Sequence, residues 1–516
     1  MRDSSTLSLA MALVAGLLVA PGAARAQDDP VTVTYRINES LSNIGDPVMN
    51  VNFGEHRVTK AMFEPLVFDF DARTQQAGPR PALATRWELI DDHTWRFYLR
   101  EGVTFHNGNP FNAAAVKYSI ERVHAEGFPS GDKFLDVPIS HVDIVDDHTV
   151  DIVTTEPVPI LPYNLMRNGA FILDPEHYKD LSIEEARWSP MGTGPYKLVE
   201  HRADDRVILE RHEDYWGWPE GANVDRLVIR LIPEISTAVS ELLDGNVDIV
   251  RITPDLADTV ESAEDRSVIV APTHTRAMLG FNMDMYPELK DPRVRLALNM
   301  AIDRDALIDA LAFGRKELKS VTAVNPPNVQ PDLEPYPYDP DKAQALLAEA
   351  GHPNGFRIDT IDVMQPEAFE YAEIVAGYWR QLGIDIGEVR LLDWTVVRER
   401  WAQRTLSVHA FPWAAPENTP LTDLWSVSDR RPTNSTHWLN DEFEELYGQL
   451  PTTMDDAKRE ELNYRMQEIL HEDPPWVYLY LFPLVVGVND RIGGFYPHPG
   501  YAVEDWASIY VKPESM

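Results

Sequence analysis

The chain contains no cysteine among its 516 residues. That excludes disulfides, thiolate metal sites and a lipid-modified cysteine, and leaves packing as the source of stability. Basic residues are scarce, with 46 Lys and Arg against 83 Asp and Glu and a net charge of −37. Every phosphate contact would work against that field, so nucleic acid is excluded as a partner. The fifteen histidines never take a His-x-x-x-His spacing, which removes the helical zinc pattern. No internal repeat or low-complexity tract is present. No segment after the first 26 residues approaches a transmembrane length. Within those 26, Leu7 to Ala20 is an apolar run broken by Pro21-Gly22 and followed by the small-x-small site Ala24-Arg25-Ala26. This stretch is too short to span a bilayer comfortably and reads as a cleavable secretory signal. An exported mature chain starting at Gln27, with net charge moved from −37 to −38, is the expectation.

The remaining length is too great for one core and implies two to four lobes. Thirteen Trp and nineteen Tyr suit a protein that holds small polar solutes against aromatic faces. The segment Trp188 to Gly217 marks a change of organisation. Met191 to Pro195 is a Gly-Thr-Gly-Pro turn whose glycines tolerate positive φ, and Tyr196 to His201 with Val207 to Arg211 reads as a hairpin. A phosphate loop would need a strand before the glycines and a helix after them. Pro190 and Pro195 flank them instead, so the turn is structural.

Along the chain, Val31 to Ile37 alternates as a strand and opens into the polar loop Asn38 to Gly45. Leu83 to Ile90 pairs with Thr94 to Leu99, and His141 to Val145 with Thr149 to Thr154, each across an Asp-Asp-His turn. Asn112 caps the helix between these hairpins, so the span from Phe53 to Leu181 reads as an inserted α+β lobe. Asp225 to Leu231, a helix capped by Ser236 and ended at Gly245, and Val247 to Ile252 form a strand, helix, strand unit with a partly parallel sheet. Asp291-Pro292 and Asp339-Pro340 start helices. A third helix, Phe369 to Leu382, returns through strand Ile384 to Leu391, giving an α/β lobe. Trp476 to Val488 is a buried strand, and Ser508 to Lys512 a C-terminal strand.

An ordered series of segments resembles the extracytoplasmic solute-binding proteins that feed peptide, opine and nickel importers of the ABC type. It comprises Leu83 to Val123, PMGTGPYKL from Pro190, ELLDGNVDIV from Glu241, DPRVRLALNMAIDRDAL from Asp291, YPYDPDKAQALLAEAG from Tyr336 and QLGIDI from Gln381. The resemblance implies an α/β, periplasmic binding protein-like fold: two large lobes with a hinged cleft, plus an inserted α+β subdomain. Residues 1–26 would be the signal. Residues 27–52, 181–272 and 481–516 would form a discontinuous first lobe, 53–180 the insert, and 273–480 the third lobe, with hinge crossings near Thr273 and Leu481. It also implies capture without chemistry, no cofactor, a monomer in the periplasm, and delivery to an ABC permease.

In peptide binders of that family an Asp shortly follows a Trp at the position of Trp413 and pairs with the α-amino group. Here Ala414, Ala415 and Pro416 fill that span, with Glu417 and Asp423 displaced. Gln365 stands where dipeptide binders carry an Arg for the carboxylate. Among Trp394, Trp401, Trp413, Trp425 and Trp438, about two are expected to reach the cleft, the rest bracing the core. The candidate contacts are Asn38, Gln365, Trp394, Trp413, Glu417 and Trp425. The ligand classes left open are peptide, opine or glycoside, onium cations held by cation-π attraction, and a nickel chelate on His409 or His437. A chaperone-like peptide holder and an exported hydrolase are the competing classes. The latter has no nucleophile motif, since the acid and His of the two Asp-Asp-His turns point apart.

Overall fold

A mixed sheet of ten strands runs through the computed structural model, which describes residues 29–50, 52–71, 76–123, 137–413, 419–498, 500 and 505–513. In spatial order the strands are Asp385–Leu391, Arg357–Val363, Val408–Trp413, Arg266–Gly280, Trp476–Asn489, Ile249–Ile252, Thr32–Ile37, Arg226–Leu231, Arg206–Arg211 and Tyr196–Arg202. Two of them, Arg266–Gly280 and Trp476–Asn489, are long and antiparallel to each other. Each buries its two halves in different cores. Ala277 to Leu279 and Val477 to Leu481 belong to a core otherwise built from residues between Phe281 and Leu470. Leu484, Val486 and Val488 belong to a core with Val33, Tyr35 and Ile229, while Val485 packs with Val268, Val270 and the helix Ile235–Leu243. The ladder is irregular where the halves meet. Register shifts between Pro272 and Arg276, Pro272 faces Pro483, and neither proline has an N–H to offer.

A separate four-stranded antiparallel sheet, Ala84–Asp91, Thr94–Leu99, Thr149–Thr154 and Ile139–Asp146, packs on the helix Ala113–Val123 around its own core. Local signals account for most of these elements. Val33, Tyr35 and Ile37 point inward at period two. The side chains of Asn52, Asp291, Asp339 and Asp455 each accept a backbone N–H from the first turn of the helix that follows. Both Asp-Asp-His turns take one form: His93 N donates to Asp91 at 2.9 Å and His148 N to Asp146 at 2.8 Å. No described helix is long and apolar enough to cross a membrane.

Three local expectations differ from the structure. Ser236 lies inside the helix Ile235–Leu243, whose N-cap is Glu234 with no side-chain cap bond; burial of Ala238, Val239 and Leu242 sets the start instead. The C-terminal segment is a short 3-10 turn, Trp506–Ser508, and a two-residue strand that pairs with Ile492–Gly493 outside the main sheet. Trp506 pins it there, meeting Tyr35 edge-on and donating to Arg57 O at 3.0 Å. Gly192 and Gly194 serve close approach, not positive φ. A Cβ at Gly192 would lie 2.2 Å from Met62 O, and one at Gly194 2.5 Å from Met62 C, because the turn lies against the end of helix Phe53–Met62.

That same turn holds a buried carboxyl. Glu64 receives Thr193 Oγ1 at 2.8 Å, Tyr215 O–H at 3.0 Å and Trp216 Nε1 at 3.2 Å. Burial outweighs these donors and raises its pKa from 4.5 to about 7. The folded chain therefore binds a proton that the unfolded chain has released above 4.5. The stability this contributes is full below 4.5 and is lost as pH rises through about 7. Between about pH 6 and 8 the Glu64 contribution to urea-unfolding stability is expected to fall by about 1 kcal/mol. In Glu64→Gln that part of the slope disappears.

Candidate functional site

Strand direction brings two edges face to face. Thr32–Ile37 is parallel to Arg226–Leu231 and Ile249–Ile252, and Arg357–Val363 is parallel to Asp385–Leu391 and Val408–Trp413. The long central pair separates the two sets and is antiparallel to its neighbour on each side. The two parallel sets therefore run toward each other, and their carboxyl ends meet across the irregular stretch at 272–276 and 481–483. Carboxyl ends of parallel strands are where α/β sheets place ligands, because loops diverge there and leave a crevice.

The predicted residues fall on these edges to different extents. Asn38 is exposed and immediately follows Thr32–Ile37. Next to it, Glu39 has a buried Oε2 with no partner among the described residues. On the opposite edge Gln365 and Trp394 line one open depression of about 680 Å³, with Met364, Glu367, Leu391 and Asp393. Trp394 is 50% exposed, being the first residue of a helix capped by Asp393. Trp413 ends its strand half-buried, edge-on to Phe411 at 5.9 Å, with its Nε1 buried and unpartnered among the described residues. Trp425 is stacked on Tyr447 at 6.0 Å. Trp438 is buried and donates to Asp473 at 2.9 Å. Glu417, with Ala414 to Pro416, lies outside the described residues. Asp423 is fully buried and accepts Asn325 N at 2.9 Å.

The histidines weighed for a chelate are engaged locally. His409 Nδ1 lies 2.9 Å from Ser407 O, and burial lowers its pKa to about 4. His437 Nε2 lies 2.9 Å from Arg404 O.

Sequence reasoning overlooked the arginines of this region. Asp362, fully buried below the edge, is held by Arg390 at 2.8 Å, Arg400 at 3.2 Å and Ser407 N at 3.0 Å. Arg276, opposite Trp413 on the neighbouring strand, donates to Ser320 and Asn325 and keeps a buried Nη1 with no hydrogen-bond partner among the described residues. Nothing in local spacing announces such residues, since their environment is made by distant segments.

A second cavity, of about 210 Å³, lies between Ile160 and Tyr163 of the inserted region and Asn328, Leu421, Arg459 and Tyr464. Its walls come from two cores.

The family model for bacterial extracellular solute-binding proteins, family 5 Middle, matches residues 78–435. The chain belongs to the bacterial extracellular solute-binding proteins, family 5. Among curated relatives, heme-binding protein A of Haemophilus influenzae is 29% identical over 82% of this chain and 82% of its own length. The dipeptide-binding protein of Escherichia coli K12 is 29% identical over 81% and 84%. Among solved structures, a substrate-binding protein of an ABC transporter from Listeria monocytogenes superposes with a TM-score of 0.82 at 23% identity, covering 93% of this chain and 99% of that one. HbpA2 of Haemophilus parasuis gives 0.80 at 23%, covering 93% and 100%.

The matched span holds Gln365, Trp394, Trp413, Glu417 and Trp425, and leaves out Asn38. The half-exposed Trp394 and the half-buried Trp413 differ in how much packing each supplies to the free protein. In urea unfolding without ligand, Trp394→Ala is expected to change stability by less than about 0.5 kcal/mol, while Trp413→Ala costs about 2 kcal/mol through lost packing.

Proposed function

We propose that this solute-binding protein is the periplasmic capture subunit of an ABC importer and takes up a short peptide or a similarly sized polar solute. On this reading residues 27–52, 181–272 and 481–516 close against 273–480, with 53–180 as an insert, and the loaded monomer delivers to a permease. Asn38, Gln365, Trp394, Trp413, Glu417 and Trp425 are the proposed contacts, and the solute leaves unchanged. The observation that carries the proposal is the opposition of two sets of strand carboxyl ends across an irregular two-strand crossing. Closure there is driven by whatever the solute binds better in the closed form. The names of relatives, dipeptide-, glutathione- and heme-binding, support a peptide-sized solute. The half-exposed ring of Trp394 also favours a flat or cationic face, so opines, betaines and sugars form the second class.

The test is a thermal-shift and fluorescence screen of the mature protein against di- and tripeptides, glutathione, heme, metal chelates, opines, betaines and sugars. A cognate solute is expected to raise the melting temperature in proportion to the logarithm of its concentration above Kd. It should be recovered intact by mass spectrometry, and Trp394→Ala should weaken it by about tenfold or more. Silence across the whole panel sinks the importer reading, and recovery of a cleaved product sinks capture without turnover.

A further inference from the structure

Arg431 is 6% exposed, and burial lowers its pKa to about 10. Its neighbours in sequence and space are neutralised. Arg430 pairs with Glu444 at 3.3 Å, Arg404 with Asp429, and Arg390 and Arg400 with Asp362. Among the described residues the Arg431 guanidinium has neither a carboxylate nor a hydrogen-bond acceptor. What it has are two indoles: its Cζ lies 4.3 Å from the Trp413 ring centroid and 5.0 Å from that of Trp401. A desolvated cation without counter-charge opposes folding, and cation-π contacts recover part of that cost. Such stacking uses the π surface of the guanidinium and leaves its N–H edge free. That planar edge is shaped to receive two oxygens of one anion.

The position of this free edge is informative. Trp413 is the last residue of a parallel strand whose carboxyl end lies at the crevice. Its buried Nε1 is a further donor without an acceptor among the described residues, and so is Nη1 of Arg276, which faces Trp413 in strand register. The region therefore offers positive charge and N–H groups beside aromatic walls, with the missing acceptor left to be supplied from outside the described residues.

We propose that Arg431, stacked on Trp401 and Trp413, anchors a carboxylate or similar planar anionic group of the bound solute, so that the solute carries at least one such group. The proposal rests on the facing strand ends being the solute site. Trp413 and Trp401 act as positioning residues that hold the guanidinium plane.

The test uses the mature protein with sodium benzoate and its neutral counterpart benzamide as probes, followed by calorimetric titration and thermal shift. Benzoate is expected to bind wild type at least about tenfold more tightly than benzamide, and Arg431→Gln to abolish that preference. Without probe, Arg431→Gln should melt no lower than wild type, because an unpaired buried cation has been removed. Arg431→Lys, which keeps charge but loses the planar fork, should remain folded and keep a reduced preference; it carries the test if Arg431→Gln does not fold. Equal binding of the two probes to wild type overturns the proposal. So does an undiminished preference in Arg431→Gln or Arg431→Lys, or a folded Arg431→Gln that melts several degrees lower, which would make the residue a structural brace. These probes do not depend on the identity of the solute. A preference for benzoate with silence in the solute screen defeats the importer reading alone. A cognate solute found together with indifference to benzoate defeats this one alone.

Discussion

The antiparallel pairing of Arg266–Gly280 with Trp476–Asn489 is the constraint on which the rest of the molecule depends. Two long strands are asked to serve separate cores, so each must be apolar along both halves, and most of the residues from Trp476 to Asn489 are buried. Continuity of the ladder keeps the lobes in one sheet. Its interruption, with Pro272 opposite Pro483 and Thr273 Oγ1 bonded to Phe482 O at 2.8 Å, leaves few backbone bonds at the crossing. A sheet thinned at one level can bend there with little loss of hydrogen bonding. The same pairing fixes the polarity of both flanking strand sets and so decides that their carboxyl ends oppose each other.

Charge is distributed in a way that makes the crevice stand out. In the core built mainly from residues between Phe281 and Leu470, buried arginines act as fasteners. Arg304 donates to Tyr478 O at 2.8 Å and to Asn299, and Arg295 donates to Pro474 O at 3.0 Å and pairs with Asp473. These contacts tie helices Pro292–Met300 and Arg304–Leu311 to the long strand by satisfying carbonyls that would otherwise be buried alone. Glu64 does similar work beside the 191–195 turn, drawing three donors around one carboxyl at the price of a raised pKa. Among the described residues, Arg431 and Nη1 of Arg276 depart from that pattern by having no acceptor, close to the carboxyl end of one strand. In a chain with so large an acidic excess, an unneutralised cation near the crevice biases it toward anionic groups.

Much of the fold was legible because its signals are local. Period-two burial in Thr32–Ile37 and the Asp caps of the helices after Asp291 and Asp339 depend on neighbours within a few residues, and the structure follows them. Where long-range packing competes, local reading gave way. The C-terminal segment has a strand pattern but is drawn aside by burial of Trp506, and the glycines of the 191–195 turn answer to Met62, far away in sequence. The candidate edge was legible in part. Gln365 and Trp394 were both named among the candidate contacts, and they share one depression. The state of Trp413, stacked under an arginine with its N–H unanswered, was not, since Arg431 approaches from a different segment.

The sequence by itself determined the class of protein. A cysteine-free, acidic and aromatic-rich chain with an ordered series of family segments admits an α/β solute binder, and each of those segments is carried by residues close together in the chain. Tertiary structure alone decided which strand ends face each other, which of the tryptophans are available, and which arginines are neutralised. Those outcomes depend on register across the long pair and on desolvation by distant segments, and neither quantity is encoded in any single stretch.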